Sequence, residues 1–462
     1  QGVPFCEIST QIVAWHEPGM SRAKELTIRV ACQHVGLEML CEDQIAGDVF
    51  LRSLPLGLNP LFPNARDIQR SEPVRMAYAG GLLPLYGAYG GARSGHTSFL
   101  VNSRNEGITF DFFDGKPPHA FVIGKTRSGK SIAMNWFVSD ELDRGATVFI
   151  LDVFASYEGL AEKYDGIIKR VSPDEAVSFG LMDGPLDATH RDAVVNVIAE
   201  IFIAQGDPRL NASEISHLLG YVKVFSETWL SAHPDKMATL SDLLRYVANL
   251  PQDHRSEFGL KLCTVMGSYA GDGEYAAWLD GPNELPMGDG LTVLDVAGIK
   301  DTPRLRVIAT LMFFHRADAY ILNPDKRSRR KYLICDEAWG TLESEQAANA
   351  IAGYARAYAR FNAALIMMTQ NATDIDSDVG KVLLALIGRI VIFYLQTTDQ
   401  ADFIVKKLGL APHVQGKIMT LINANLYQDI DMSEGIVFRV APPEWLAEVG
   451  RSEPHMMAAL DA

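Results

Sequence analysis

Five short apolar runs punctuate the chain, and each ends on polar residues: "ATVFILD" at 146–152, "LTVLDVAGI" from 291, "KYLICDEAW" from 331, "ALIMMTQN" at 364–371 and "GRIVIFYLQ" at 388–396. None alternates between apolar and polar positions. A continuous apolar run of strand length fits a strand buried on both faces, as in a parallel sheet covered by helices. Helix-period stretches separate the runs, so the fold class is α/β with a mostly parallel sheet. Ligands of such folds bind beyond the carboxyl ends of the strands, where Asp152, Asp295, Asp336 and Gln370 stand.

The texture changes between 171 and 290. "HRDAVVNVIAEIFIAQ", "NASEISHLLGYVKVFSETWLSAH", "TLSDLLRYVANL" and "RSEFGLKLCTVMGSYA" all carry apolar residues at helical spacing. This predicts an all-helical insertion between two strands of one sheet. Upstream, "SRAKELTIRVACQHVGLEML" reads as a helix behind Ser21, and "LPLGLNPLFPNARD" as a linker near 54–67. "HTSFLVNSRNEGITFDFF" reads as a hairpin turning at Asn105–Gly107. The expected domains are a small N-terminal α/β region with a linker over 1–110, a parallel-sheet core in two parts (111–170 and 291–462), and the insertion over 171–290.

At 462 residues the chain exceeds one ordinary core, and 48% hydrophobic with 21% charged residues describes a soluble globular protein. No run is long enough to span a membrane, and no signal peptide is visible. The chain opens on Gln1, so a longer N-terminal portion is expected. Five cysteines without metal-ligand spacing point to a reducing compartment, and against zinc or a disulfide framework. A net charge of −15 disfavours a surface built for duplex DNA, and strong duplex-DNA binding is not expected. The dense basic run, "DKRSRRK" at 325–331, fits a solvated loop better than a nucleic-acid contact.

Candidate chemistry centres on "AFVIGKTRSGKS", Ala120–Ser131. Gly124, Lys125, Thr126, Arg127, Ser128, Gly129, Lys130 and Ser131 fit G-x-x-x-x-G-K-[ST], between an apolar strand and the helical run from Ile132 to Leu142. Backbone N–H groups of such a loop cradle phosphates at a helix N-terminus. Lys130 is expected to reach the β- and γ-phosphates of ATP, and Ser131 to coordinate Mg²⁺. In "YLICDEAW", Asp336 is the second expected Mg²⁺ ligand and Glu337 the group beside the attacking water. A Glu directly after the metal Asp suits a hydrolase rather than a nucleotide switch. Gln370 is a candidate for sensing the γ-phosphate or water. Arg356 and Arg360, at i and i+4, are candidates for the phosphate of a neighbouring subunit. Asp152 is a candidate for orienting the loop or the metal's water; Asp295 is a second-tier one.

The blocks "GKTRSGKS", "VFILDVFASYEGL", "LICDEAW" and "YARAYARFNAALIMMTQNATDI" together resemble the large ATPases of type IV secretion and conjugative DNA-transfer systems, of the TraC/TrbE-like kind, with a Dot/Icm-like branch among them. The resemblance implies a RecA-like P-loop core acting as a homo-hexamer at the cytoplasmic face of the bacterial inner membrane. It also implies other secretion-system ATPases and inner-membrane channel proteins as partners, with hydrolysis powering channel or pilus assembly and transfer of substrates. Two positions depart from the family's pattern: Arg127 stands where a glycine is common, and Phe361 where a lysine commonly follows the arginine. A DNA-pumping coupling protein and a nucleotide-gated scaffold with little turnover stay open as alternatives.

Overall fold

The computed structural model describes residues 5–8, 25–26, 28–30, 72–75, 96–102, 106–114, 117–126, 128–173, 175–233, 235–252, 254–337, 345–395, 397–421, 425–429 and 436–440. The chain divides into two compact units, Gln1–Gly87 and Ala88–Ala462. In the first, β1 (Phe5–Ile8) pairs antiparallel with β2 (Glu72–Arg75). The helix expected behind Ser21 is present at residues 25, 26 and 28–30. Its remainder, and the linker at 54–67, lie outside the described residues.

The second unit is built on one eleven-stranded sheet. A hairpin of β3 (His96–Val101) and β4 (Gly107–Phe110) lies at one edge of this sheet. β5 (Ala120–Ile123) leads into the glycine loop and helix α1 (Lys130–Asp143). β6 (Thr147–Asp152), α2 (Glu158–Lys163) and β7 (Ile167–Arg170) follow. Then come helices α3 (Ala188–Ala204), α4 (Ala212–Ala232), α5 (Leu240–Ala248), α6 (Glu257–Met266) and α7 (Ala276–Leu279), all before β8 (Leu291–Asp295). Helix α8 (Pro303–Ile321), β9 (Lys331–Asp336), α9 (Glu345–Tyr358), β10 (Ala363–Thr369), α10 (Asp378–Leu384) and β11 (Arg389–Ile392) complete the core. Beyond helices α11 (Thr398–Leu408) and α12 (Val414–Met419), antiparallel strands β12 (Asn425–Asp429) and β13 (Ile436–Val440) join β11 to the hairpin.

The order β11-β5-β10-β9-β6-β8-β7 is parallel throughout. It confirms the α/β class and adds a strand that the apolar pattern does not reveal. β7 reads "IIKR" and is half-exposed at the sheet edge, so it lacks the continuous apolar run of a doubly covered strand. β12 and β13 escape the pattern for a related reason: they are short and antiparallel, and polar residues interrupt them.

Period-two alternation sorts each strand between two cores. Phe121, Ile123, Phe149, Leu151, Leu333, Leu365 and Met367 face the helices of the insertion together with α8 and α9. Val122, Val148, Ile150, Tyr332, Ile334, Ile366 and Met368 face α1, whose Trp136 and Phe137 are buried there. Helices therefore cover both faces of the sheet. Counting on by two from Ile150 and Ile334 puts Asp152 and Asp336 on the α1 face, at the strand ends.

Among the described residues three histidines are buried with lowered pKa, His119, His190 and His315. His119, just before β5, accepts a hydrogen bond at Nδ1 from the Leu365 amide at 3.0 Å, and burial lowers its pKa to about 4. His315 stacks on His190 at 5.1 Å, and burial lowers its pKa to about 3. The unfolded chain takes up these protons near pH 6.5 and the folded chain does not. Their contribution is therefore complete above pH 6.5 and is lost as pH falls toward 4, at up to about 1.4 kcal/mol per pH unit per group. Denaturant unfolding across pH 7 to 4 should show this loss, and His119→Asn, which keeps an acceptor for Leu365, should make it shallower. An unaltered slope in that variant would exclude His119 as a source.

Candidate active site

The glycine loop leaves β5 between the ends of its two neighbours. Gly124 donates its N–H to the Thr369 carbonyl at 3.1 Å, and Lys125 donates to the Tyr394 carbonyl at 3.0 Å. A Cβ at Gly124 would stand 2.5 Å from the Phe393 Cβ, closer than any side chain tolerates. Gly129 holds φ at 97°, a left-handed value that glycine adopts without strain, and turns the chain into α1. Both glycines of the motif thus have a steric reason to be there.

Lys130 is buried at the start of α1. Its Nζ donates to the Gly124 carbonyl and lies 3.8 Å from Glu337 Oε1. Burial pulls its pKa below the ordinary lysine value, against the pull of Glu337 and Asp336. Asp336 ends β9, and burial with the adjacent Glu337 charge raises its carboxyl to about 7. Glu337 follows in a left-handed conformation, φ 57°, with its N–H donated to the Met368 carbonyl at 3.2 Å. Burial again is the main reason its pKa stands at about 7, offset by Lys130 and raised further by Asp374. β10 runs between β5 and β9, so its end places Gln370 beside both the loop and Glu337. The Thr126 hydroxyl donates to Gln370 Oε1.

The structure thus brings together Gly124, Thr126, Lys130, Asp336, Glu337 and Gln370. Arg127 lies outside the described residues. Ser131 opens the first turn of α1, and its carbonyl accepts from Asn135 Nδ2 at 2.9 Å. The same amide donates to the Ser156 carbonyl at 3.1 Å. Asp152, at the end of β6, is held by the backbone of its own loop. Its oxygens accept from the backbone N–H groups of Phe154, Ser156 and Tyr157 at 3.0, 2.6 and 3.1 Å. Its carboxylate folds its own loop, which contacts α1 through Ser156 and Asn135, and the Asp336 charge adds to burial in raising its pKa to about 7. Asp295 likewise accepts from the Ala297 N–H at 2.9 Å.

Arg356 and Arg360 are not at this site. Arg356 is in the last turn of α9, but Arg360 is in the 3-10 turn Ala359–Phe361, past the helix end, so helical i,i+4 spacing does not relate them. Both are exposed and precede β10. That strand has seven residues, so at about 3.3 Å per residue the two arginines lie roughly 20 Å from Gln370 of the same chain.

Sequence reasoning passed over Asn135, Asp374, Phe393 and Tyr394. Asp374 had a local signal, four residues after Gln370. Phe393 and Tyr394 sit in a run that reads only as core, although Lys125 Nζ lies 5.3 Å over the Tyr394 ring.

This arrangement suits a nucleotide. The Glu337 Oε1 and the Ser128 hydroxyl are buried without a hydrogen-bond partner. Buried polar atoms in that state are a standing cost until a ligand engages them. Residues 114–437 match the TraG P-loop domain. The chain belongs to the TraG P-loop family. The TraC protein of Escherichia coli (strain K12) is 23% identical over 271 residues, covering 56% of this chain and 29% of TraC. The chain therefore spans less than a third of that curated relative. VirB4 of Thermoanaerobacter pseudethanolicus superposes with a TM-score of 0.64 at 16% identity, over 78% of this chain and 100% of that one. The sulphate complex of the bacterial conjugative coupling protein TrwBdeltaN70 superposes at 0.50 with 16% identity, over 76% and 91%. At these identities the two structures show the fold of the TraG P-loop family member, a RecA-like core.

Proposed function

We propose that this chain is the ATP-hydrolysing motor portion of a type IV secretion or conjugation ATPase, working as a homo-hexamer. The observation that carries the reading is the convergence of Lys130, Glu337 and Gln370 on one glycine loop. Lys130, already aimed at the loop, neutralises phosphate charge in the bound nucleotide. Glu337 accepts a proton from the attacking water; a base with pKa near 7 balances availability against driving force at neutral pH. Gln370 orients that water or senses the γ-phosphate. Ser131 and Asp336 are the residues fitted to hold Mg²⁺, which when bound neutralises charge on the phosphate oxygens. The left-handed backbone at Glu337 supports a functional role, since strain of this kind persists where the surroundings impose it.

In this reading hydrolysis drives channel or pilus assembly and the transfer of substrates. The partners are other secretion-system ATPases and inner-membrane channel proteins, with the ring peripheral on the cytoplasmic face of the inner membrane. Among the described residues no helix is long and apolar enough to cross a membrane.

Lys130→Ala should abolish productive ATP binding. Glu337→Gln should keep binding and lower turnover by about 10² to 10⁴-fold, the usual contribution of general base catalysis. Nucleotide titration and phosphate release on both variants check this. Wild-type turnover in Glu337→Gln refutes the assignment, and binding without hydrolysis in the wild type favours a nucleotide-gated scaffold.

Arg356 and Arg360 retain a role only across a subunit boundary. A guanidinium supplied in trans contributes roughly 10³ to 10⁵ in rate in related chemistry. Mixing Glu337→Gln subunits with Arg356→Ala/Arg360→Ala subunits should restore part of the activity that each lacks, because each defect spoils a different side of the interface. Normal hydrolysis by oligomers of the double alanine variant ends the idea.

Duplex DNA should stimulate hydrolysis little. The basic run at 325–331, expected as a solvated loop, is instead paired within the chain. Lys326 and Arg329 pair with Asp289 at 2.9 and 3.0 Å, and Arg330 with Asp111 at 2.9 Å. Lys331 Nζ donates to the carbonyls of Lys326, Arg329 and Phe361 at 2.7, 2.8 and 2.7 Å. DNA titrations at two salt concentrations, with ATPase rate followed in parallel, test this. Tight, steeply salt-dependent binding with a large stimulation would favour a DNA-pumping translocase.

A further inference from the structure

Thr369 ends β10 fully buried, and its carbonyl and hydroxyl are engaged at once. Its carbonyl receives the Gly124 N–H at 3.1 Å, which anchors the start of the glycine loop. Its hydroxyl donates to Asp374 Oδ2 and accepts from the Asn371 N–H at 3.1 Å. Its successor, Gln370, receives the Thr126 hydroxyl. Asp374 is itself held rigidly in the 3-10 turn Ala372–Asp376. Its N–H donates to the Asn371 carbonyl at 3.2 Å. Its own carbonyl accepts the Ser377 N–H at 3.1 Å and the Ser377 hydroxyl at 2.6 Å. A strand end is ordinarily free to rotate its last side chains; here a carboxylate fixed by its own turn clamps one of them.

We propose that Asp374 is a positioning residue for hydrolysis, clamping Thr369 so that Gln370 stays on the glycine loop beside Glu337. The inference rests on the motor reading above and deepens it. Asp374 holds the Thr369 hydroxyl, whereas the glycine loop hangs on the Thr369 carbonyl, which the pairing of β10 with β5 keeps in place; Asp374 also faces the Glu337 carboxylate, and Asp374→Asn separates that charge from the clamp. Its loss therefore falls on turnover rather than on affinity.

Steady-state hydrolysis and titration with ADP are compared for wild type, Asp374→Ala, Asp374→Asn, Thr369→Val and the Asp374→Ala/Thr369→Val double variant. The alanine and valine variants should each lower kcat by about ten- to a hundredfold, the scale of a small misplacement of a reacting group. KM and ADP affinity should stay within about threefold. The double variant should be no slower than the slower single, because both remove one link. Asp374→Asn still accepts the Thr369 hydroxyl and should recover most of the rate. A kcat unchanged in Asp374→Ala, losses that multiply in the double variant, or a KM that rises in step with the loss overturns the proposal. Should Asp374→Ala fail to fold, Thr369→Val against Asp374→Asn makes the same comparison. Amide hydrogen exchange at Gln370 and Asn371 reads the link without turnover. Faster exchange in Asp374→Ala supports it and unchanged exchange there overturns it, even if the wild type hydrolyses nothing and the motor reading fails.

Discussion

Two backbone hydrogen bonds organise this active site: Gly124 to the end of β10 and Lys125 to the residue chain just beyond β11. A glycine loop must stay open enough for its N–H groups to converge on a phosphate, yet it must leave its strand in one direction. Pairing its first two amides with the carbonyls of both neighbouring strands achieves this. It also requires β5 to lie between β10 and β11, and that requirement sets the strand order around it. The close approach of Phe393 to Gly124 follows from the same geometry and explains why a side chain is excluded there.

Charge is the second constraint. Asp152, Asp336 and Glu337 are all buried near the carboxyl ends of the strands, and burial raises each to about 7. Lys130 faces two of them and is itself pulled down by burial. A site so short of solvent gains when a polar ligand engages its carboxylates and its lysine together. The third carboxylate, Asp152, is offset in part by three backbone donors, and serves as the foundation of the loop that contacts α1 through Asn135.

The opposite edge of the sheet uses charge differently. Arg330 grips Asp111 with two hydrogen bonds, at 3.1 and 2.9 Å, and its guanidinium lies 5.1 Å over the Phe113 ring. These contacts tie the hairpin side of the sheet to the entrance of β9. Lys331, with three carbonyl acceptors, closes the turn that links the entrances of β9 and β10. A dense cationic run therefore works as an internal fastener at one end of the same strands whose other ends hold the carboxylates.

The chain's own order of residues determined the parallel α/β core, the helical stretches between β7 and β8, the glycine loop and the Asp336–Glu337 pair. Each is a local matter: apolar runs, helical period and a motif whose spacing is its mechanism. Position along the chain also marked Gln370 at a strand end. Only the tertiary structure decided what those residues touch. It tied Asp152 to the backbone of its own loop, and set Arg360 past a helix end, before the start of β10. It also brought Asp374, Phe393 and Tyr394 to the site. The reason is physical: periodicity reports which face a residue occupies, but which strand lies beside it depends on crossovers spanning as many as two hundred residues. The half-exposed edge strand β7 and the antiparallel β12 and β13 stayed hidden for the complementary reason, since strands not buried on both faces have no need of an unbroken apolar run.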